Sequence, residues 1–206
     1  MFGLWGGDQE AKFWKWFVSN EARLFAELDH NSPKIESAVD EVHCRLRKIH
    51  KSLACEFLLE AAKKTLFLSP DGIRAGIPLV ESLHAKAPSL ARWEIVKFKQ
   101  RKPDNEDFKI RFADRELTSD AVRYRLTPEE DRVGIELLFA GYEDRFLAVY
   151  QKVGFIMLDS MLGEYDVMTK VGVVNCLPLP DGGDRYPFIS GLASDFDTEY
   201  ERLRRG

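Results

Sequence analysis

Residues 121–139 read AVRYRLTPEEDRVGIELLF and say more about the architecture than any other stretch of the chain. Charged and apolar side chains alternate through Ala121–Leu126, as they do in a β-strand with one face in the core. Val133–Phe139 is predicted to be a second strand, and Thr127 with Pro128 is typical of the start of the turn between them. The stretch is therefore predicted to be a β-hairpin.

Two more hairpins are predicted upstream of this one. Leu53–Leu59 would pair with Lys63–Ser69, and Trp93–Arg101 would pair with Asp107–Ala113. A helix is predicted between these two hairpins, over Ile77–Ala87. Because hairpins and helices are mixed without a regular βα repeat, we predict an α+β fold. Its mainly antiparallel sheet would have about six to seven strands, with the helices packed mostly on one face.

The first helix is predicted over Asp8–Leu28. At about 100° per residue its large apolar side chains share one broad face. We expect Trp14, Phe17, Leu24 and Phe25 on this face to belong to the core.

Further helices follow. A second helix, opened by the capping residue Ser32, is predicted to run to about His50. Glu143–Leu162 is predicted to be a helix that is apolar nearly all round and therefore buried. A last strand is predicted over Tyr165–Cys176, and a short helix near Phe196–Arg204.

A chain of 206 residues can form one domain of generous size. We predict a single α+β domain over residues 1–206. Its parts would be a helical pair at 8–50, a sheet with two packed helices at 53–177, and a tail with a short helix at 178–206.

The order strand, strand, helix, strand is predicted at 53–100 and again at 120–177. This repeat has two explanations. Either the two segments arose by internal duplication, or they share the order by chance, because antiparallel α+β sheets often produce it. Residue identity between the two segments is poor, so both explanations stay open.

The composition excludes several classes of protein. With 45% hydrophobic and 31% charged residues the chain is globular, and a net charge of −4 excludes a polycation built for DNA. Three cysteines without paired spacing indicate reduced thiols. No signal peptide is recognised, and no apolar stretch reaches the ~20 residues needed to span a bilayer. We therefore expect a cytoplasmic protein that does not enter a membrane.

Motifs spread over the chain carry a family resemblance. They are Phe13-Trp14-x-Trp16-Phe17-x-x-Asn20, Leu68-Ser69-Pro70-Asp71-Gly72, Ala87-Pro88 with Trp93, and Leu158-Asp159-x-x-Leu162-Gly163-Glu164-Tyr165-Asp166-Val167. Over most of the chain, these motifs resemble a family of bacterial cytosolic proteins of unknown function. The resemblance implies an α+β fold and a bacterial cytoplasm, and it brings no catalytic residues.

Four carboxylates offer a catalytic interpretation. Glu21 falls inside the apolar stripe of the first helix, and Asp159, Glu164 and Asp166 lie near a predicted helix end. If the four converge in a cleft, the protein would be an enzyme of the hydrolase kind, with or without a divalent metal. No phosphate-loop, dinucleotide, zinc-protease or nucleophile-elbow motif occurs, so we expect neither a cofactor nor a metal.

Glu21 also has a structural interpretation. A carboxylate inside an apolar stripe needs a partner or a raised pKa. We expect Glu21 to be largely buried and paired with a basic group of the second helix, namely His43, Arg47 or His50.

Basic side chains alternate with apolar ones along the hairpin predicted at 93–113 and along the next strand. The predicted basic face consists of Lys97, Lys99, Arg101, Lys109, Arg111, Arg123 and Arg125. Like charges on neighbouring strands cost stability, so this arrangement needs an explanation. The face is either a solvated surface compensated by nearby acids or a docking surface for an acidic protein or nucleic acid.

No aromatic side chains interleave the charges of this face in the way that RNA-binding sheets require, so an acidic protein is favoured over nucleic acid. We therefore predict a cytoplasmic, non-catalytic interaction or regulatory module that binds an acidic partner through the basic face. The sequence leaves the oligomeric state open.

Overall fold

The computed structural model describes residues 6–60, 62–102, 109–112 and 115–205. The chain folds into two compact units, Met1–Lys99 and Gln100–Gly206. Both units combine helices with a small β-sheet, so the predicted α+β class is confirmed.

The first unit carries three helices and a three-stranded sheet among its described residues. Its elements are α1 (Gly6–Glu27), α2 (Ile35–Ile49), β1 (Ala54–Leu59), β2 (Lys64–Ser69), α3 (Ile77–Ala85) and β3 (Trp93–Lys97). The strand order is β1-β2-β3, with β1 antiparallel and β3 parallel to β2. The chain crosses from β2 to β3 through α3, as a parallel pair requires.

The predicted apolar face of α1 forms part of the core of this unit. Phe17 and Leu24 are fully buried, and Trp14 is nearly so. The Trp14 indole N–H donates to the main-chain oxygen of Leu83, at the end of α3. Phe25 is only half-buried, so the prediction for the face is confirmed for its centre and not for this edge residue.

The second unit has the remaining elements. They are β4 (Lys109–Phe112), β5 (Arg115–Thr118), β6 (Val122–Glu129), β7 (Arg132–Phe139), α4 (Leu147–Leu162), α5 (Glu164–Lys170), β8 (Val171–Pro178) and α6 (Leu192–Arg205). β4 and β5 form an antiparallel pair, and the other strands form a sheet in the order β6-β7-β8. β6 is antiparallel to β7, whereas β8 is parallel to it.

Both long helices of the second unit pack on one face of this sheet. Tyr124 and Leu137 are cross-strand neighbours and therefore share a face. Gly154 of α4 approaches Leu137 closely, and Asp195 of α6 accepts a hydrogen bond from the Tyr124 hydroxyl.

The predicted single sheet of about six to seven strands is not confirmed, because the described strands form sheets of three, two and three strands. The predicted hairpin between 93–101 and 107–113 is wrong. β3 pairs in parallel with β2, and β4 pairs with β5, so the two halves of that hairpin belong to different sheets. Part of the predicted hairpin, residues 103–108 and 113, lies outside the described residues.

The repeated order predicted from the sequence is present in the structure. β1-β2-α3-β3 and β6-β7-α4-β8 share the same strand order and the same antiparallel and parallel pairings. The second unit adds α5 between α4 and β8. A common origin of the two segments stays a prediction.

The β6–β7 hairpin is confirmed, but its turn lies further along the chain than predicted. Pairing continues to Glu129 and Arg132, so Pro128 lies inside β6 instead of opening the turn. The Tyr124 N–H donates away from β7, to the oxygen of Pro187. Two-residue alternation turns position 128 in that direction too, where a missing N–H costs no ladder bond.

The strand predicted over 165–176 is wrong in its first half. Gly163 has φ of 82°, which ends α4 and redirects the chain into α5. Asp166 and Lys170 form an ion pair one helical turn apart within α5. β8 begins only at Val171.

The register of β7 and β8 contains a bulge. Val133 pairs with Val171 and Ile135 with Val174, so three residues of β8 are matched to two of β7. The Glu129 carboxylate accepts a hydrogen bond from the Val173 N–H, at 3.1 Å, within this bulge. The bulge therefore leaves this main-chain donor satisfied by a side chain.

The predicted burial of α4 is only partly confirmed. Leu158 is fully buried, whereas Phe155 and Ile156 are each about half exposed on the opposite side. In the part of the chain that the structure describes, no single helix combines the length and apolar character needed to cross a membrane. The segments Asp144–Leu162 and Glu164–Lys170 reach these criteria only together, as a pair bent by 106°.

Candidate functional site

The predicted basic face is divided by the structure. Lys97 belongs to β3, Lys109 and Arg111 to β4, and Arg123 and Arg125 to β6, in three different sheets. Lys99 and Arg101 lie outside the strands. The alternation itself is confirmed in β6, where Val122 and Tyr124 are buried on the face opposite to the arginines.

Every cation of the predicted basic face has an acidic neighbour. The pairs are Lys97–Glu81, Lys99–Glu56, Arg101–Asp197, Lys109–Glu116, Arg111–Glu116, Arg123–Asp184 and Arg125–Glu136. Compensation by nearby acids, one of the two explanations offered by the sequence, is therefore present at each position.

Arg101 and Arg123 are the most firmly engaged of these cations. Arg101 donates to both carboxylate oxygens of Asp197, at 2.6 and 2.9 Å. These hydrogen bonds are the main reason why the pKa of Asp197 is lowered and that of Arg101 raised. The Arg123 guanidinium carbon lies 3.2 Å from the centre of the Phe188 ring. Both guanidinium groups therefore form contacts within the second unit.

The β4–β5 hairpin presents the least engaged cations. Ile110 and Leu117 pair across the hairpin and face the core, so Lys109, Arg111 and Glu116 lie on the outer face. The Lys109 side chain is 68% exposed and the Arg111 side chain 84%. Both cations share the Glu116 carboxylate, at 3.7 and 3.0 Å, so one positive charge is left over among the residues of this face that the structure describes.

Glu21 has a partner, but not the predicted one. Its carboxylate accepts hydrogen bonds from Arg92, at 2.7 Å, and from the Trp93 indole N–H, at 2.9 Å. The side chain is 19% exposed, so most of it is buried, as predicted. The predicted pairing with α2 is wrong because the chain entering β3 brings Arg92 and Trp93 to this face of α1.

Replacing Glu21 by leucine is expected to lower the free energy of unfolding by about 1–2 kcal/mol. The change leaves the partly buried Trp93 N–H without its acceptor, which costs more than a lost surface ion pair. Glu21→Gln retains an acceptor and is expected to cost less than half as much. Urea unfolding followed by tryptophan fluorescence measures both values, and equal costs would contradict the role assigned to the indole contact.

The other carboxylates of the catalytic interpretation lie around the junction of α4 and α5. Glu164 is buried at the start of α5, and Asp159 is half-buried near the end of α4. Asp166 is paired with Lys170 at 2.7 Å and with Arg101 at 3.7 Å. Glu21 belongs to the first unit, where Arg92 and Trp93 hold it.

No group of three or more histidine, cysteine or acidic side chains that could hold a metal ion is found among the described residues. Cys55 is a buried thiol whose pKa is raised mainly by burial, and burial also raises the pKa of Cys176 to about 11. Raised pKa values make both thiols poor nucleophiles at neutral pH.

A groove that the sequence did not predict lies between β6 and α6. It has a volume of about 380 Å³, and its walls include Tyr124, Leu126, Tyr186, Asp195 and Glu199. The Tyr124 hydroxyl donates to Asp195 Oδ2 at 2.6 Å. Burial is the main cause of the raised pKa of Tyr124, and the bond to Asp195 adds to it, so the phenol stays protonated.

The groove was missed because its walls come from distant parts of the sequence. β6, the segment around Tyr186 and α6 are brought together only by the tertiary fold. The one local signal is an acidic residue, Asp195, directly before the helix predicted near Phe196–Arg204 and in the first turn of α6. Helix N-termini favour acidic residues without any ligand.

Comparison with family models gives no match for this chain, and comparisons with curated proteins and with solved structures give none either. The resemblance to a bacterial family therefore stays a prediction.

Proposed function

We propose that the protein is a non-catalytic interaction module that docks an acidic protein surface on the outer face of the β4–β5 hairpin. The observation that carries the proposal is the exposure of Lys109 and Arg111 on this face, with Glu116 as their shared carboxylate. Two cations and one carboxylate leave a local positive charge that is open to solvent.

A local positive charge can attract a partner even though the whole chain carries a net charge of −4. Electrostatic steering depends on the charges near the point of encounter, because more distant ones are screened beyond about 8 Å at physiological salt. The proposal narrows the predicted basic face to the two cations that extend furthest into solvent.

A protein partner is favoured over nucleic acid on this face. The described outer-face positions of the hairpin are Lys109, Arg111, Glu116 and Thr118, and none is aromatic. Binding of single strands generally uses aromatic rings on which bases stack, in addition to a positively charged surface.

Reversing both cations, in Lys109→Glu/Arg111→Glu, is expected to abolish capture of the acidic partner from a nuclease-treated native extract. Capture by the unchanged protein is expected to fall as salt rises, because the attraction is screened. The matched control is Lys15→Glu/Lys48→Glu, which changes the net charge equally at two exposed positions of α1 and α2. Bound proteins are identified by mass spectrometry.

A further variant separates lost binding from a damaged hairpin. Lys109→Glu/Arg111→Glu/Glu116→Lys inverts the face but keeps opposite charges across the strands. It is expected to unfold at the temperature of the unchanged protein and still fail to capture the partner. Equal capture by the unchanged protein, the double variant and the inverted variant would refute the proposal.

A further inference from the structure

β6 has a free edge beside the groove. The Tyr124 N–H points away from β7 and donates to the Pro187 oxygen, and Arg123 forms a single antiparallel bridge with Phe188. Main-chain groups in a strand alternate in direction, so the N–H and C=O of Leu126 point to this same edge. Within the described part of the chain, no partner outside β6–β7 pairing is found for them.

Of the residues that the structure describes, only the segment around Phe188 pairs with this edge, and only with its first part. Antiparallel pairing that starts at Arg123 and Phe188 would next place Tyr186 opposite Arg125. Residues Gly183–Arg185 instead form a 3-10 turn, which takes the backbone away from β6. Leu126 lines the groove, three residues beyond the bridge between Arg123 and Phe188.

The charge of the groove identifies what fits it. Glu199 is bonded through both oxygens to Arg202, and Arg125 donates to Glu136 at 2.6 Å. Asp195 receives one hydrogen bond, from Tyr124 to Oδ2, and no cation pairs with it among the described residues. Asp195 is exposed to solvent, and its Oδ1 accepts no hydrogen bond from the described residues, so a cationic side chain of a ligand can pair with it and complement the charge of the groove.

We infer that the groove binds a short extended peptide of a partner protein, which adds a strand to β6 at Leu126 and places a lysine or arginine side chain at Asp195. Strand addition of this kind takes affinity from main-chain hydrogen bonds and specificity from pockets for alternate side chains. The volume of about 380 Å³ lies at the lower end of the range typical of ligand pockets, as suits a few residues.

Pro128 limits the hydrogen bonds that β6 offers to the added strand. It lies two residues beyond Leu126, on the same edge, and it has no N–H to offer. Leu126 therefore supplies one donor and one acceptor, and at position 128 only the main-chain oxygen is left to pair with an added strand. The ligand proposed for the groove differs from that of the β4–β5 hairpin. The groove would bind a basic peptide through main-chain hydrogen bonds, whereas the hairpin would bind an acidic protein surface.

The test is a selection from a displayed library of random heptapeptides on three immobilised proteins: the unchanged chain, Asp195→Asn and Asp131→Asn. Asp131 is an exposed carboxylate of the β6–β7 turn and serves as the matched control. The unchanged chain and Asp131→Asn are expected to enrich the same peptides, with lysine or arginine between β-branched residues. Asp195→Asn is expected to lose this enrichment.

The best peptide is then synthesised and its dissociation constant measured by fluorescence anisotropy. Exchange of its basic residue for norleucine, or N-methylation of the amide that pairs with Leu126, is expected to weaken binding at least tenfold. The Leu126 amide is expected to shift in the nitrogen–proton spectrum and to exchange more slowly with solvent. The hairpin variant Lys109→Glu/Arg111→Glu is expected to bind normally, which separates this site from the proposed function.

Three results would overturn the inference: no enriched peptide, the same peptides enriched on Asp195→Asn, or binding that tolerates N-methylation at every position. Peptide binding lost in the hairpin variant and retained in Asp195→Asn would assign it to the hairpin instead.

Discussion

Trp14→Ala is expected to lower the free energy of unfolding by roughly 3–5 kcal/mol, the cost of removing a large aromatic side chain from a packed core. The Trp14 ring is 4% exposed and packs edge-on against Phe13 and Phe17, with ring centres 4.8 and 5.8 Å away. Its N–H bond to the Leu83 oxygen, at 2.8 Å, is lost as well, and that oxygen keeps only the Lys86 N–H as a donor, at 3.3 Å.

The two units can be followed separately in this experiment. All four tryptophans precede residue 100, and all six tyrosines follow it. Urea unfolding of Trp14→Ala should shift the midpoint seen by tryptophan fluorescence. Trp16→Ala is the control, because Trp16 is only half-buried against Arg45, and it should shift the midpoint much less. An unchanged midpoint for Trp14→Ala would show that α1 does not pack as described.

Gly154→Val is expected to destabilise the second unit by roughly 3 kcal/mol through overpacking. A Cβ on Gly154 would lie 2.8 Å from Leu137 Cδ1 and 3.4 Å from the Cys176 sulfur. Leu137 is fully buried, so it cannot turn aside without cost. Removing glycine from a helix gains less than about 1 kcal/mol, which does not offset this clash.

A double variant checks the cause. In Gly154→Val/Leu137→Ala the shortened side chain makes room for the valine, so the combined loss should be smaller than the sum of the single losses. Tyrosine emission during urea unfolding reports the second unit. Additive losses would mean that the contact between Gly154 and Leu137 does not determine how closely α4 approaches the sheet.

Local patterns predicted the elements whose partners are close in sequence. The apolar face of α1 follows from its own spacing, and the hairpins β1–β2 and β6–β7 join neighbouring strands. The wrongly predicted hairpin at 93–113 shows what such patterns cannot predict. Alternation shows that a segment is extended but not which strand it pairs with, and β3 pairs with β2 across α3.

In the candidate sites too, local patterns predicted some features, and others depend on residues distant in the sequence. Alternation placed Lys109 and Arg111 on the face opposite to Ile110, and the structure has them there. The partner of Glu21 could not be predicted, because Arg92 reaches it from a loop 71 residues further along the chain. The groove needs an edge left free by the turn at Gly183–Arg185, which no local pattern reveals.

The bulge in β8 has a consequence for any comparison of the two repeated segments. β2 and β3 pair without a register shift, whereas β8 contains one residue more than the matching part of β7. An alignment of the two segments must therefore carry a one-residue gap between Val171 and Val174. Ungapped alignment puts each inward side chain of one segment opposite an outward one of the other beyond this point, which hides similarity even where the backbones agree.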